Sequence, residues 1–222
     1  MQKTAYATST EENYKYGVIV PLSEELVTTS DPAAVPTINQ AVLGGLGKGT
    51  DTQLLTPTIT AVAGTNPASI LAGSTEITTT GTTSAQISAN WAGMLAAVTT
   101  PGPLVWIMKP KTMYRIALTV GSQAAGLPNT LFGIPIIASI NSPAQIALLD
   151  PGSIIFSDSG GFDLDVSREA LLELNDAPAH PTIAGTIMHS LYQRNDVAIK
   201  AMRALAWLNL SPTTSASFIV SY

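Results

Sequence analysis

Few side chains in this 222-residue sequence are equipped for chemistry, and Ser159 is the first to weigh. It lies in Ser157-Asp158-Ser159-Gly160-Gly161, a small-residue turn of the kind that can present a nucleophilic serine. Acyl transfer by such a serine needs a histidine to take its proton and a carboxylate to orient that histidine. In the trypsin-like order both precede the serine, whereas the only two histidines here, His180 and His189, follow it. The stretch therefore reads as a β-turn between strands, with a serine hydrolase using Ser159 kept as an alternative. Gly44-Gly45-Leu46-Gly47-Lys48-Gly49-Thr50 has the look of a phosphate loop. It lacks a Ser or Thr directly after the Lys, and it closes a helical pattern where a phosphate loop opens one. His180 and His189 stand nine apart, which fits neither a helical zinc pair nor a finger. Cysteine is absent, so disulfides, thiolate nucleophiles and Cys-ligated zinc are excluded. Asp163 and Asp165 share a strand face, as an acid–base pair must, but Arg168 close by favours a solvated charged face. No catalytic, cofactor-binding or metal-binding residue is assigned.

Composition gives a physical reason to look for another role. Asp, Glu, Lys and Arg make up 11% of the chain, against about a quarter in ordinary soluble domains. Hydrophobic residues make up 45%, enough to build a core. A surface so poor in charge is either polar through Thr and Ser or covered by partner subunits. The net charge is −5 and there is no Lys/Arg run, so the electrostatic footprint of a duplex-binding protein is missing. Residues 131–140, the longest apolar stretch, are broken by Gly133 and Pro135 and fall short of the roughly 20 residues a membrane span requires. The amino terminus, Met1-Gln2-Lys3-Thr4, lacks the apolar stretch of a signal peptide, so no membrane partner is expected.

The elements that would position these side chains follow from periodicity. Alternation over 14–20 predicts a strand, and 21–27 a short helical turn. Asp31-Pro32 is a good helix start, and Val35, Ile38, Val42 and Leu46 recur at helical spacing. Gly44, Gly45, Gly47 and Gly49 place the stop of that helix among them. Residues 50–88, dominated by Thr, Ser, Ala and Gly, predict an exposed, mobile loop, because they offer little apolar burial against the cost of ordering. Trp91, Met94, Leu95 and Val98 share one face of a helix that stops before Pro101-Gly102-Pro103. The apolar run 104–108 predicts a strand buried on both faces, followed by a helix over 109–118. Pro135 suggests an edge position for the short strand over 131–137. Further strands are expected over 146–149, 153–156, 162–166 and 183–206, with a polar tail to close. The fold class is α+β, with strands too unevenly spaced for a doubly wound nucleotide fold.

Read in order, the second half resembles the major capsid proteins of tailed bacteriophages, the Hong Kong 97 type. The segments that carry the resemblance are Leu104-Val105-Trp106-Ile107-Met108-Lys109-Pro110, Leu131-Phe132-Gly133-Ile134-Pro135-Ile136-Ile137 and Ile154-Ile155-Phe156-Ser157-Asp158. Asp165-Val166-Ser167-Arg168-Glu169 and Leu191-Tyr192-Gln193-Arg194-Asn195-Asp196 complete the series. The resemblance implies an axial lobe and a peripheral lobe carrying a long spine helix. Residues 1–27 would be the remnant of an extended loop and the strand leading out of it. Residues 28–60 and 162–222 would form the peripheral lobe, and 61–161 the axial lobe, with a Thr/Ser-rich loop near 74–84. Relative to the family the chain starts inside the extended loop, without the N-terminal arm and first loop half, as a fragment or processed form would. Some members crosslink through a Lys, an Asn and a catalytic Glu; the region around Tyr192-Gln193-Arg194 offers no Glu, so no crosslinking is expected.

The function so implied is that of a phage or prophage shell subunit, assembled in the bacterial host cytoplasm into hexamers and pentamers of the virion capsid. It encloses DNA without sequence-specific binding and needs no cofactor. Its partners would be copies of itself, together with scaffold, portal and maturation protease. Arg115, Arg168, Glu169, Arg194 and Arg203 are the candidates for lateral contacts, where charge sets register more than affinity. A tail-tube or decoration protein, or a nanocompartment shell of the encapsulin kind, remain the structural alternatives.

Overall fold

The computed structural model describes residues 13–28, 34–100, 102–120, 130–142, 146–175 and 185–220. In chain order they form β1 (Tyr14–Ser23), α1 (Glu24–Thr28), α2 (Ala34–Leu55), β2 (Thr75–Glu76), α3 (Ser84–Ala97), β3 (Val105–Met108) and α4 (Pro110–Val120). There follow β4 (Thr130–Leu131), β5 (Ile134–Ala138), β6 (Ile146–Leu149), β7 (Ile154–Asp158), β8 (Asp163–Ser167) and β9 (Leu171–Glu173). The chain closes with β10 (Met188–Ser190), α5 (Leu191–Arg194), β11 (Asp196–Asn209), α6 (Pro212–Ser215) and β12 (Ala216–Ile219). Two compact units result. Unit one takes Lys48–Asp158 and the chain from Leu205 onward; unit two takes Lys15–Gly47 and Ser159–Ala204.

Unit one is built on a six-stranded sheet in the order β2-β12-β6-β3-β5-β4. The apolar run at 104–108 becomes β3, held between β5 (parallel) and β6 (antiparallel), and β6 is buried along its whole length. Thr83 begins α3 with a capping box, its hydroxyl accepting from the Gln86 amide while the Gln86 side chain reaches back. Ile87, Trp91, Met94 and Val98 then recur on one face and pack on Trp106, Met108, Ile146, Leu148 and Ile219 of the sheet and Ile116 of α4. Each such large side chain contributes roughly 1.5–3 kcal/mol on burial, so this cluster dominates the stability of unit one. The edge position expected from Pro135 is not what the sheet shows: β5 lies between β3 and the two-residue strand β4, with Pro135 opposite Thr130 of β4.

Unit two rests on β1, β8 and the first part of β11, with β9 and β10 as a separate antiparallel pair. Val42 and Leu46 of α2 pack on Ala201, flanked by Val18, Val20 and Ile199. The helix does not stop at its glycines, as the sequence led us to expect, but continues to Leu55. The reason is packing. A Cβ on Gly45 would stand 2.7 Å from Val18 Cγ2, so glycine is what lets the helix approach β1 there. Gly44 and Gly47 meet no atom within 4 Å and are simply tolerated.

Three other expectations are corrected. Residues 50–88 are not an exposed loop: Leu55, Ile70 and Leu71 are buried, and β2 pairs in parallel with β12. The backbone there is tied by side chains remote in sequence, with Trp207 Nε1 donating to the Ala68 carbonyl at 2.8 Å and Asn209 Nδ2 to that of Ile70 at 2.8 Å. The expected strand over 183–206 is β10, the turn of helix α5, and β11. Ser190 accepts from the Gln193 amide to open α5, and Asn195, in the left-handed region at φ 58°, closes it; residues 183–184 lie outside the described ones. The supposed polar tail contains β12, fully buried, where the Ser217 hydroxyl donates to the Met94 carbonyl at 3.1 Å. Because β12 completes the sheet of unit one, the chain from Leu205 onward belongs there, although the sequence reading grouped 162–222 together.

Candidate assembly surfaces

The residues first weighed for chemistry are accounted for by local structure. β11 pairs β7 along Leu205–Asn209 and β8 along Ala198–Met202. Between the Leu205–Asp158 and Met202–Asp163 pairs, Arg203 and Ala204 stand opposite the four residues from Ser159 to Phe162. The Ser-Asp-Ser-Gly-Gly stretch is thus a bulge: Ser159 is exposed, its amide donates to the Ala204 carbonyl at 3.1 Å, and Gly160 turns the chain at φ 76°. Gly44 to Thr50 lie inside α2, away from any helix N-terminus. His189 is half-buried in β10 opposite Leu172, and His180 lies outside the described residues. Asp163 and Asp165 are exposed on β8, in register with Met202 and Lys200 of β11, which places Asp165 beside a cation. Among the described residues, no group of three or more His, Asp or Glu could hold a metal ion.

The five charged residues singled out for lateral contacts do not form one cluster. Arg115 is exposed on α4 in unit one. The other four belong to unit two. Arg168 follows β8 and reaches Glu24 of α1, Nε to Oε1 at 3.7 Å. Glu169 is exposed beside it, its amide bonded to Ser167 Oγ. Arg194 is exposed at the last position of α5. Arg203 lies over the ring of Phe162, 5.2 Å from its centroid, a cation–π contact at the bulge.

Sequence reasoning missed a larger feature of unit two. Phe162, just before β8, and Leu164 and Val166 within it are 49%, 64% and 60% exposed. In register, Leu164 and Val166 lie on the same side of the sheet as their partners Ala201 and Ile199, which α2 covers, but the helix leaves the β8 side chains open. Leu171, Leu174, Ile187 and Met188, in and beside β9 and β10, are exposed as well. Scattered exposed apolar residues are ordinary, whereas a run of this kind on one small unit marks a surface that something covers. The alternation of apolar and acidic residues at 162–166 was legible. That neither face of the strand is buried was not.

No protein-family model matches the chain. The capsid polyprotein of Pseudomonas phage PAJU2 is 34% identical over 223 aligned residues, which take in 93% of this chain. The chain spans about one third of the length of that relative, 33% of it. The fold is shared by solved structures with far less sequence in common. A chain from Gordonia phage Cozz superposes with a TM-score of 0.63 at 14% identity, covering 99% of this chain and 78% of its own. The chain shares the fold of this phage protein. A chain from Mycobacterium phage Ogopogo gives a TM-score of 0.62 at 15% identity, over 98% of this chain and 80% of that one. One from the capsid of an empty GTA particle gives 0.57 at 14%, over 99% and 79%. The α+β fold implied by the segment resemblance therefore holds along nearly the whole chain and not only over its second half. No described helix of it is long and apolar enough to cross a membrane.

Proposed function

We propose that the chain is a structural subunit of a phage or prophage capsid, associating with copies of itself into a closed shell around DNA. The 34% identity to a capsid polyprotein along nearly the whole chain carries this reading. The physics of the surface supports it. The chain as a whole has only 11% charged residues, as a surface covered by partner subunits would, and the open apolar side chains in and beside β8 to β10 are a place for such a contact, since interface centres are depleted in charge. The net charge of −5 suits a container that does not grip the DNA it holds.

In this reading unit one is the axial lobe and unit two the peripheral lobe, with α2 as the spine. Hexamers and pentamers are the assembled forms, in the virion and first in the host cytoplasm, with scaffold, portal and maturation protease as further partners. Arg168, Glu169, Arg194 and Arg203 would fix register between neighbours, as would Arg115 on α4. The role is structural and involves no catalytic step; covalent labelling of Ser159 by a fluorophosphonate would contradict that part. The deciding experiment is negative-stain microscopy with light scattering of the purified chain across a range of concentrations. Closed particles or capsomer-sized rings are expected. A protein that stays monomeric and dispersed throughout would refute the assembly claim.

A further inference from the structure

Leu131-Phe132-Gly133-Ile134 places a bulky aromatic where the chain must reverse. β4 and β5 pair as a hairpin, Thr130 opposite Pro135 and Leu131 opposite Ile134, so Phe132 and Gly133 are its two turn residues. Both have positive φ, 54° and 78°. Such turns are normally filled by Asn-Gly, Asp-Gly or Gly-Gly, which enter the left-handed region at little cost. Among the described residues, Phe132 and Asn195 are the two with positive φ that are not glycine, and Asn195 is of the tolerant type. For a phenylalanine the left-handed backbone is disfavoured by about 5- to 30-fold.

Against that stands a contact with Trp91. The Phe132 ring is 61% exposed and meets the Trp91 ring edge to face, centroids 5.4 Å apart and planes at 80°. Such a pair favours the docked arrangement by about 2- to 13-fold, the same order as the backbone cost. Trp91 carries an adverse feature of its own. Its side chain is buried on α3, in the cluster with Met94, Trp106 and Ile116, yet its indole N–H has no acceptor. A buried donor without a partner favours any state in which it reaches water.

We propose that the Phe132–Gly133 turn is a two-state latch on Trp91. Closed, Phe132 is left-handed with its ring on the indole. Open, Phe132 relaxes to negative φ, its ring leaves, and the Trp91 N–H bonds to water. One motion relieves both adverse features and gives up a half-exposed aromatic contact, so the two states lie close in free energy. β4 is only two residues long, and the turn can relax while Ile136–Ala138 of β5 stay paired with Trp106–Met108 of β3. Any binder that takes up the freed Phe132 ring shifts the population toward the open state by its preference for that state. The latch is independent of the shell-subunit reading and gives unit one a switch point at the hairpin tip.

Labelling with 15N-tryptophan gives three indole N–H signals, assigned by single Trp→Phe variants, whose exchange with D2O is followed by NMR. Trp207 Nε1 donates to the Ala68 carbonyl, Trp106 Nε1 is buried without an acceptor, and Trp91 meets Phe132. Trp91 is expected to exchange at least about tenfold faster than the other two, through local opening. Equal rates at Trp91 and Trp106 would mean that both open only with the whole core, and overturn the latch. Phe132→Asn suits the turn and removes the ring. It should speed exchange at Trp91 by about a further fivefold or more, leaving Trp106 and Trp207 within about twofold of wild type. Unchanged exchange at Trp91 in that variant, or equal acceleration at all three tryptophans, also overturns the latch. The wild-type comparison decides the matter by itself, whether or not the variant folds.

Discussion

Gly45→Ala is the substitution on which sequence propensity and structure disagree most sharply. In the interior of α2, alanine should gain about 1 kcal/mol over glycine, since it loses less backbone freedom on folding. The new Cβ, however, would lie 2.7 Å from Val18 Cγ2, where carbon atoms in contact sit about 3.5–4.0 Å apart. Val18 is β-branched and stiff at χ1, so the helix or β1 must move by nearly 1 Å. Overpacking of that order costs about 1–3 kcal/mol. Gly44→Ala and Gly47→Ala, with nothing within 4 Å, should show the propensity gain unopposed. The expected outcome is a gap of about 1–3 kcal/mol between Gly45→Ala and the two controls. Native-state hydrogen exchange of the β1 amides reads that gap as roughly a 5- to 150-fold difference in protection. If all three alanines protect β1 equally, the close approach of α2 to β1 is not what keeps glycine at 45.

Gly102→Ala should destabilise unit one by about 1–3 kcal/mol, because its Cβ would run into the Asp150 carboxylate, which is buried and accepts from the Gly152 amide at 2.8 Å; thermal circular dichroism measures it. Trp207→Phe removes the donor to the Ala68 carbonyl and shrinks a buried ring, costing about 1–3 kcal/mol, and should lower Tm by about 2–4 °C for each. Leu164→Lys with Val166→Lys should leave the melting temperature within about 1–2 °C of wild type, as exposed positions allow, yet suppress particle formation in light scattering. Arg168→Ala breaks an exposed ion pair to Glu24 and should change stability by less than about 1 kcal/mol, so any loss of assembly would be an interface effect.

What was legible in the sequence was whatever local pattern dictates. The run Leu104 to Met108 has no polar face to leave in water, so a strand buried on both sides follows, and β3 is one. The face of Trp91, Met94 and Val98 gave α3, whereas Pro135, read as the mark of an edge strand, lies in β5 between β3 and β4. What failed depended on partners far along the chain. Trp207 and Asn209 hold carbonyls 139 residues away, and no local cue in 50–88 announces them. The glycines of α2 read as a stop because the strand that needs one of them lies 27 residues earlier. For the candidate surfaces, Arg168 and Arg194 are exposed, but alternation at 162–166 cannot say whether a strand face is covered. Ordered segments in the second half were enough to suggest the capsid family, and the comparisons extended that fold to the rest of the chain.

The placement of the tryptophans divides the protein optically. Trp91, Trp106 and Trp207 are all fully enclosed, and all three belong to unit one. Intrinsic tryptophan emission is therefore a reporter of unit one alone, and unit two is silent in it. Far-ultraviolet dichroism, by contrast, sums both units. Superimposing the two signals along one denaturant titration shows directly whether the units melt as a single cooperative body or in sequence. A tryptophan introduced at the open Leu164 position would give unit two an emission of its own. Its shift to the blue on association would then follow shell formation in real time.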